Sequence, residues 1–238
     1  ILLIGCNPRW EATVLNARIR KAYINNNCEI GLIGPKIDLT YKYEHLSDTL
    51  SYLNNILDGK EKFAEVLKNA NKPMIIIGTS AINNSQGQEV LKICAKISNK
   101  LNISNDKFNG FNVLQQNISR VGSLDLEFYN NSFDNDWNAS IKNHITKTKP
   151  VVFLLNLDDF DSSILDGAFV VYIGHHGEKG AHIADLILPS PAFPERSSTF
   201  VNTEGRVMQT TKCFQPLGES KDEWKIFRAL SENINKKL

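Results

Sequence analysis

The sequence lacks the cysteine patterns that hold iron–sulfur clusters or zinc. Its 238 residues include only four cysteines, Cys6, Cys28, Cys94 and Cys213, and these are far apart. No CxxC motif and no Cys/His pair provides the ligand spacing that such sites use. We therefore expect this chain to hold no metal cluster.

Long apolar runs, an excess of one charge and phosphate-binding loops are also missing. The longest apolar runs, residues 73–77 and 151–155, are far shorter than the roughly 20 residues of a membrane-spanning helix, so we expect no direct membrane insertion. The 27 basic and 26 acidic residues are interspersed and give a formal charge of +1, which provides no reason to expect a nucleic-acid partner. No glycine-rich loop follows a predicted strand, which disfavours a nucleotide-binding α/β module.

Apolar runs of strand length alternate with helical patterns along most of the chain. The first two runs, with the helical pattern between them, form a strand–helix–strand unit, and such a crossover makes its two strands parallel. The pattern predicts an α/β fold: a doubly wound, mainly parallel sheet of about six strands with flanking helices. The predicted strands lie at residues 1–6, 28–33, 74–77, 150–156, 168–173 and 185–188.

The first predicted helix, residues 10–25, has apolar residues at helical spacing and is expected to pack on one face of the sheet. These residues are Trp10, Val14 and Ala17, with Leu15, Ile19 and Ala22 beside them. The helix is also locally basic, through Arg9, Arg18, Arg20 and Lys21. The charges form either a solvated face or a surface that docks another part of a longer protein or a neighbouring subunit.

The end of the last strand and the segment after it are specified by proline and glycine. Pro189, Pro191 and Pro194 remove three backbone donors, so the chain leaves the sheet as a stiff connection. Gly205 supplies the turn of a predicted small β-hairpin near residues 198–210. We expect residues 1–238 to form one domain, in which the Asn- and Ser-rich residues 102–149 are an irregular helical insertion. Because the sequence opens directly on a strand pattern without an initiator Met, we expect it to be a fragment of a longer protein.

Four segments carry a resemblance to known families. ADLILP and TFVNTEGRVMQ resemble the late signature of the molybdopterin oxidoreductase family. GCNPRWEATVLNARIRKAY and DEWKIFRALSE are similar to the large iron–sulfur subunits of NADH-quinone oxidoreductase, respiratory complex I. The similarity covers nearly the whole chain and is weakest in residues 102–149. It implies a molybdopterin oxidoreductase-like domain in the C-terminal part of such a subunit.

The resemblance implies a structural role for this domain. The parent complex would transfer electrons from NADH to quinone coupled to proton translocation, with [4Fe-4S] and [2Fe-2S] clusters in the upstream part of the subunit and no cofactor in this chain. The implied partners are other subunits of the peripheral arm of complex I. The implied location is peripheral, on the cytoplasmic side of the bacterial inner membrane or the matrix side of the mitochondrial one.

The resemblance also marks a vestigial cofactor site without catalytic residues. Gly5-Cys6-Asn7-Pro8 resembles the Gly-x-Asn-Pro turn that cofactor-carrying family members place beside the dinucleotide phosphates. Those members typically have an Asp after the second strand, where Gly34 stands here and has no side chain to accept a hydrogen bond. No residue is a confident cofactor ligand. The vestigial candidates are Gly5, Asn7, Gly34, His175, His176, Asn202 and Glu204.

Ligands of open parallel sheets lie beyond the carboxyl ends of the strands, so the turns at Asn7, Gly34, Gly78 and His175 are expected to converge. His175, His176 and His182 suggest a metal site, but neighbouring strand residues point to opposite faces, and we expect no metal. The acidic group Asp158, Asp159 and Asp161 is either a cation site or a helix cap, and the cap is favoured. Two alternatives remain open for the whole chain: a fragment of a molybdopterin-dependent oxidoreductase, and a nucleotide-binding α/β module.

Overall fold

A computed structural model of the chain describes residues 1–128, 137–177 and 179–236, and the chain forms two compact units. The first contains residues 1–121 and 201–206, and the second contains residues 122–200 and 207–238. Part of the predicted insertion, residues 129–136, lies outside the described residues. The expectation of one domain over residues 1–238 stays a prediction.

The first unit is built on a five-stranded parallel sheet with strand order β3-β2-β1-β4-β7. A separate antiparallel pair, β5 with β6, precedes its last strand. The strands are β1 (Leu2–Ile4), β2 (Gly31–Ile33), β3 (Glu44–Ser47), β4 (Ile75–Ile77), β5 (Ser104–Asn105), β6 (Phe108–Asn109) and β7 (Phe111–Val113).

Helices cover both faces of this sheet, because successive residues of a buried strand point to opposite sides. Leu2 and Ile4 of β1 belong to one apolar cluster, and Leu3 belongs to the other. The helices of the first unit are α1 (Pro8–Glu11), α2 (Thr13–Asn26), α3 (Leu53–Asp58), α4 (Lys62–Asn69), α5 (Thr79–Ile82) and α6 (Gly87–Lys100), with a 3₁₀ turn at Leu50–Tyr52. A further helix, α7 (Arg120–Asp125), follows them.

The second unit contains a three-stranded parallel sheet with strand order β10-β9-β8. The predicted hairpin is present as β11 (Thr199–Val201) and β12 (Val207–Gln209). The sheet strands are β8 (Val151–Leu155), β9 (Phe169–Gly174) and β10 (Leu186–Pro189), and the helices are α8 (Trp137–Thr148), α9 (Lys179–His182) and α10 (Glu223–Asn233), with 3₁₀ turns at Ser162–Leu165 and Phe193–Glu195.

The predicted fold class is confirmed: the chain is α/β with mainly parallel sheets, flanking helices and a small hairpin. The strands nevertheless divide between two sheets, whereas the sequence pattern predicted one sheet of about six. Strands β3 and β7 were not predicted. Both are edge strands with polar residues and partial exposure, so they lack the continuous apolar run of a central strand.

The first predicted helix is broken, and this changes which residues it buries. Ala12 has φ −153° and ψ 71°, which ends α1 and precedes α2. Spacing counted across this break therefore has no structural meaning, and Trp10 and Val14 are 79% and 78% exposed. Ile19 is buried on the inner side of α2.

Gly78 permits a close backbone approach between the turns that follow β1 and β4. A Cβ built on Gly78 would lie 2.1 Å from the Gly5 carbonyl oxygen and 2.5 Å from the Cys6 Cβ. We therefore predict that Gly78→Ala lowers the free energy of unfolding by about 2 to 3 kcal/mol through overpacking. Chemical denaturation followed by circular dichroism measures the change. Gly177→Ala is the matched control, because a Cβ there would meet no described atom within 4 Å. Equal stability of the two variants would show that the turns are not packed as described.

Candidate functional site

The turns that follow β1, β2 and β4 meet at the carboxyl edge of the five-stranded sheet. Gly5 has φ +51° and donates its N–H to the Ile33 carbonyl at 2.8 Å. The Gly78 N–H donates to the Ile4 carbonyl at 2.8 Å. Gly34 has φ +133°, and a Cβ built on it would lie 3.5 Å from the Gly5 Cα. The structure thus brings three turns singled out in the sequence into direct contact.

The space between these turns is a cavity of about 150 Å³. The Asn7 N–H donates to Glu11 Oε1 at 2.7 Å, so the carboxylate of the first helical turn caps the β1 turn. Two buried oxygens near it, Asn7 Oδ1 and Glu11 Oε2, have no hydrogen-bond partner among the described residues. The two buried polar atoms without a partner in this lining are therefore oxygens. The lining residues are Gly5, Cys6, Asn7, Glu11, Leu32, Gly34, Pro35, Ile37 and Ser80.

Cys6 is the one thiol in this lining, and it is held in the protonated form. Its Sγ lies 3.7 Å from the Ile76 carbonyl oxygen, to which it donates. Burial raises the pKa of Cys6 to about 12, and the nearby charge of Glu11 acts in the same direction. A thiol with this pKa is not a nucleophile at neutral pH.

Glu11 and His45 are site residues that sequence reasoning missed. His45 of β3 bonds the Gly34 carbonyl oxygen through Nε2 at 2.8 Å, and the same nitrogen is 3.3 Å from Asp48 Oδ1. Glu11 had a usable signal, because a helix that starts with Pro8 favours an acidic residue in its first turn. His45 had none, since its strand reads as a polar loop.

His175 lies in the second unit, directly after strand β9. It therefore belongs to a different sheet edge from Gly5, Asn7 and Gly34. Its Nδ1 is 2.8 Å from Asn156 Oδ1, and Asn156 Nδ2 donates to Glu223 Oε1 at 3.0 Å. The Arg196 guanidinium donates to the same carboxylate oxygen. Desolvation lowers the pKa of His175, as do the charges of His176 and Arg196, so the ring is neutral at pH 7.

The rings of His175 and His176 contact each other edge to face, with centroids 4.6 Å apart. The expectation that the two side chains point apart is wrong, because β9 ends at Gly174 and strand alternation stops there. His176 itself contributes its backbone carbonyl, which accepts from the Tyr172 hydroxyl at 3.0 Å. Across residues 1–128, 137–177 and 179–236, no group of three His, Cys, Asp or Glu side chains is arranged to hold a metal ion.

Asn202 and Glu204 lie at the tip of the hairpin between β11 and β12. Asn202 Oδ1 accepts from the N–H groups of Glu204 at 3.0 Å and Arg206 at 2.9 Å, so its side chain shapes the turn. Gly205 takes φ +78°, as the turn prediction required. Glu204 is exposed.

The acidic group beyond β8 serves local structure. Asp161 is the N-cap of the 3₁₀ turn Ser162–Leu165 and accepts from the Ser163 N–H at 3.1 Å, which confirms the predicted cap. Asp158 accepts from the Tyr172 hydroxyl and from the Gly180 N–H, both at 3.0 Å. Both side chains are thus engaged by protein donors.

Comparison with known proteins gives the family. The sequence profile described as "Molybdopterin oxidoreductase" matches residues 1–233. The chain belongs to the molybdopterin oxidoreductase family. Acetylene hydratase from Pelobacter acetylenicus, a solved structure, shares the fold with a TM-score of 0.54 over 98% of this chain and 47% of that chain. Its sequence identity is 12%, so this likeness concerns the fold alone.

Relatives of this molybdopterin oxidoreductase family member with higher sequence identity are NADH–ubiquinone oxidoreductase proteins. The chain is 39% identical over its full length to the NADH-ubiquinone oxidoreductase 75 kDa subunit of Reclinomonas americana. It is 37% identical, over 97% of its length, to mitochondrial NADH dehydrogenase (ubiquinone) iron-sulfur protein 1 of Solanum tuberosum. The expected resemblance is confirmed. The chain spans 34% and 30% of the lengths of these two relatives.

None of the helices in the described ranges combines the length and the apolar character that crossing a bilayer demands.

The burial of the cysteines generates a labelling prediction. Cys6 and Cys94 are buried, which raises the pKa of each to about 12, whereas Cys213 is exposed. At pH 8 the thiolate fraction of Cys6 and Cys94 is on the order of 10⁻⁴. Iodoacetamide should therefore alkylate Cys213 and leave both buried thiols intact, as read by peptide mass spectrometry. Labelling in guanidinium chloride is the control, in which all four cysteines react. Alkylation of native Cys6 at the rate of Cys213 would contradict the described packing.

Proposed function

We propose that residues 1–238 are a structural domain of the large iron–sulfur subunit of NADH–ubiquinone oxidoreductase, respiratory complex I. In this proposal the domain carries no molybdopterin cofactor and no cluster. It is part of an enzyme but performs no chemistry itself.

The observation that carries the proposal is the identity to such subunits, which extends from one end of the chain to the other. Identity of 37% to 39% over 97% to 100% of the chain is far above the 12% shared with the solved acetylene hydratase. The relatives therefore suggest the assignment within the family, while the fold alone leaves it open.

The dimensions of the site at the carboxyl edge do not fit the family's dinucleotide cofactor. Sites for small organic ligands enclose about 300 to 1,000 Å³. The pocket at Asn7, which is open to solvent at Pro35 and Ser80, has a volume of about 150 Å³. It is small because the Gly5, Gly34 and Gly78 turns are packed on one another.

The chemistry of the site does not fit an anion either. A pyrophosphate needs N–H or O–H donors, but the Asn7 N–H already donates to Glu11 Oε1. The unpartnered Oε2 of Glu11 belongs to a carboxylate, which repels a phosphate. The Ser80 hydroxyl donates to the Gly5 carbonyl. The Glu11 carboxylate thus occupies the position that a bound anion would take.

The chain also lacks other groups that would bind a dinucleotide cofactor or an iron–sulfur cluster. Gly34 offers no side-chain acceptor, and its carbonyl is bonded to His45. Iron–sulfur clusters are held by several cysteine thiolates, whereas the four cysteines of this chain are far apart in the sequence. We therefore assign the [4Fe-4S] and [2Fe-2S] clusters to other parts of the subunit.

The proposal extends to the setting of the parent protein. Its partners are the other subunits of the peripheral arm, and it has no nucleic-acid partner and no direct membrane insertion. It lies on the matrix side of the mitochondrial inner membrane or the cytoplasmic side of a bacterial one. The parent complex transfers electrons from NADH to quinone and couples this to proton translocation.

We predict that the full-length subunit, purified in its complex from a host that makes molybdenum cofactor, contains iron but neither molybdenum nor pterin. The physical reason is the small pocket at Asn7, in which the Glu11 carboxylate already accepts the Asn7 N–H. Elemental analysis and fluorescence of oxidised pterin products give the measurement, with a molybdenum enzyme from the same host as positive control. Stoichiometric molybdenum would instead assign the chain to a molybdopterin-dependent oxidoreductase.

A four-cysteine variant tests the iron assignment in the same preparation. Cys6→Ala and Cys94→Ala with Cys28→Ser and Cys213→Ser should leave the iron content of the assembled complex unchanged. Loss of iron from a complex that still assembles would place a cluster ligand within residues 1–238.

A further inference from the structure

Among the residues that the structure describes, no element packs on one helical surface of the first unit, which we call the Trp10 face. It consists of Trp10 on α1 and, on α2, Val14, Ala17, Arg18, Lys21 and Ile24. Positions 14, 17, 18, 21 and 24 follow the spacing of one side of a helix, and all of them are exposed. The opposite side of α2 carries buried Asn16 and Ile19 and is therefore already packed.

The exposed side chains of this face are unusually apolar for a solvated helix. Trp10 is 79%, Val14 78% and Ile24 59% exposed. A tryptophan side chain contributes roughly 150 to 250 Å² of contact area when it is covered, more than most other residues. Tryptophan and arginine together are the residues in which the binding energy of protein interfaces concentrates.

The charges around these apolar residues have one sign. Arg9 is neutralised by Asp38, at 2.5 Å. Neither Arg18 nor Lys21 has a carboxylate within 4 Å in the part of the chain that the structure describes. Glu11 turns its Oε1 toward the Asn7 N–H. The Trp10 face therefore complements an acidic surface.

We propose that the Trp10 face is the docking site for the part of the same polypeptide that lies outside residues 1–238, which meets it with an apolar pocket for Trp10 rimmed by carboxylates. This inference rests on the proposed function, in which the chain is about a third of a longer subunit. The face is too sparsely basic for a nucleic-acid site, and the chain as a whole has a formal charge of +1.

The mixed chemistry of the face favours a segment of the same polypeptide over another subunit. Interfaces between domains of one chain are modest in area and more polar than obligate subunit interfaces, which resemble a hydrophobic core. Here three large apolar residues, Trp10, Val14 and Ile24, flank the basic pair of Arg18 and Lys21. A covalent connection also raises the effective concentration of the partner, so that a modest patch is enough.

Zero-length crosslinking of the full-length subunit tests the proposal. A carbodiimide joins a lysine to a carboxylate only when the two are in contact, so it reports the residue that faces Lys21. In the isolated full-length subunit and in the assembled complex, peptide mass spectrometry should find Lys21 joined to an Asp or Glu of the same polypeptide outside residues 1–238. Lys21 joined to a different subunit, or not joined at all, would overturn the proposal.

Two variants connect the crosslink to the apolar anchor. Trp10→Ala should reduce the Lys21 crosslink about tenfold, as expected when an interface tryptophan is truncated. Because Trp10 is exposed within residues 1–238, the variant should keep the fold of the parent protein, as circular dichroism would show. Trp224→Ala removes another exposed tryptophan, in α10, and should leave the crosslink unchanged. An unchanged crosslink in Trp10→Ala would contradict the role of Trp10 as anchor.

A native gel stained for NADH oxidation separates this inference from the proposed function. A subunit that carries the crosslink but never enters an NADH-oxidising complex would support the docking and defeat the complex I assignment. A subunit that enters the complex without the crosslink would support the assignment and defeat the docking.

Discussion

The first unit depends on how closely three backbone turns approach one another at the carboxyl edge of its sheet. Gly78 lies against the Gly5 carbonyl and Cys6, and Gly34 lies against Gly5, at distances that leave no room for a side chain at Gly78. The same turns continue the strand ladder through their N–H groups, so β2, β1 and β4 end together. The close approach that aligns the strands also determines how little space remains beyond them.

The charges at this edge connect its geometry to the function of the domain. Parallel α/β sheets bind ligands beyond their carboxyl ends, and the family fold makes this edge the natural place to look. Here Glu11 satisfies the Asn7 N–H, and two buried oxygens, Asn7 Oδ1 and Glu11 Oε2, are left without a partner. The chain's own groups thus occupy this edge, and we propose the Trp10 face as the surface where the domain meets the rest of its polypeptide.

Much of this could be predicted from the sequence, and the failures have identifiable causes. The central strands and the turns at Gly5, Asn7, Gly34 and Gly205 were predictable, because continuous apolar runs and glycine act locally. Strand β3, with His45, was not, because edge strands lack an apolar run. The exposure of Trp10 was hidden by the break at Ala12, which has no sequence signal such as proline or glycine. The seven vestigial site candidates stay predictions, and they fall on two different units.

The ligand edge at Asn7 is occupied by the chain's own Glu11 carboxylate. An experimental density map of the complete subunit within its complex tests this most directly, through the volume enclosed by Asn7, Glu11, Gly34 and Ser80. We predict density of water size at most, with the Glu11 carboxylate on the Asn7 N–H. Continuous density for a pterin or a dinucleotide there, with Glu11 displaced, would contradict the account.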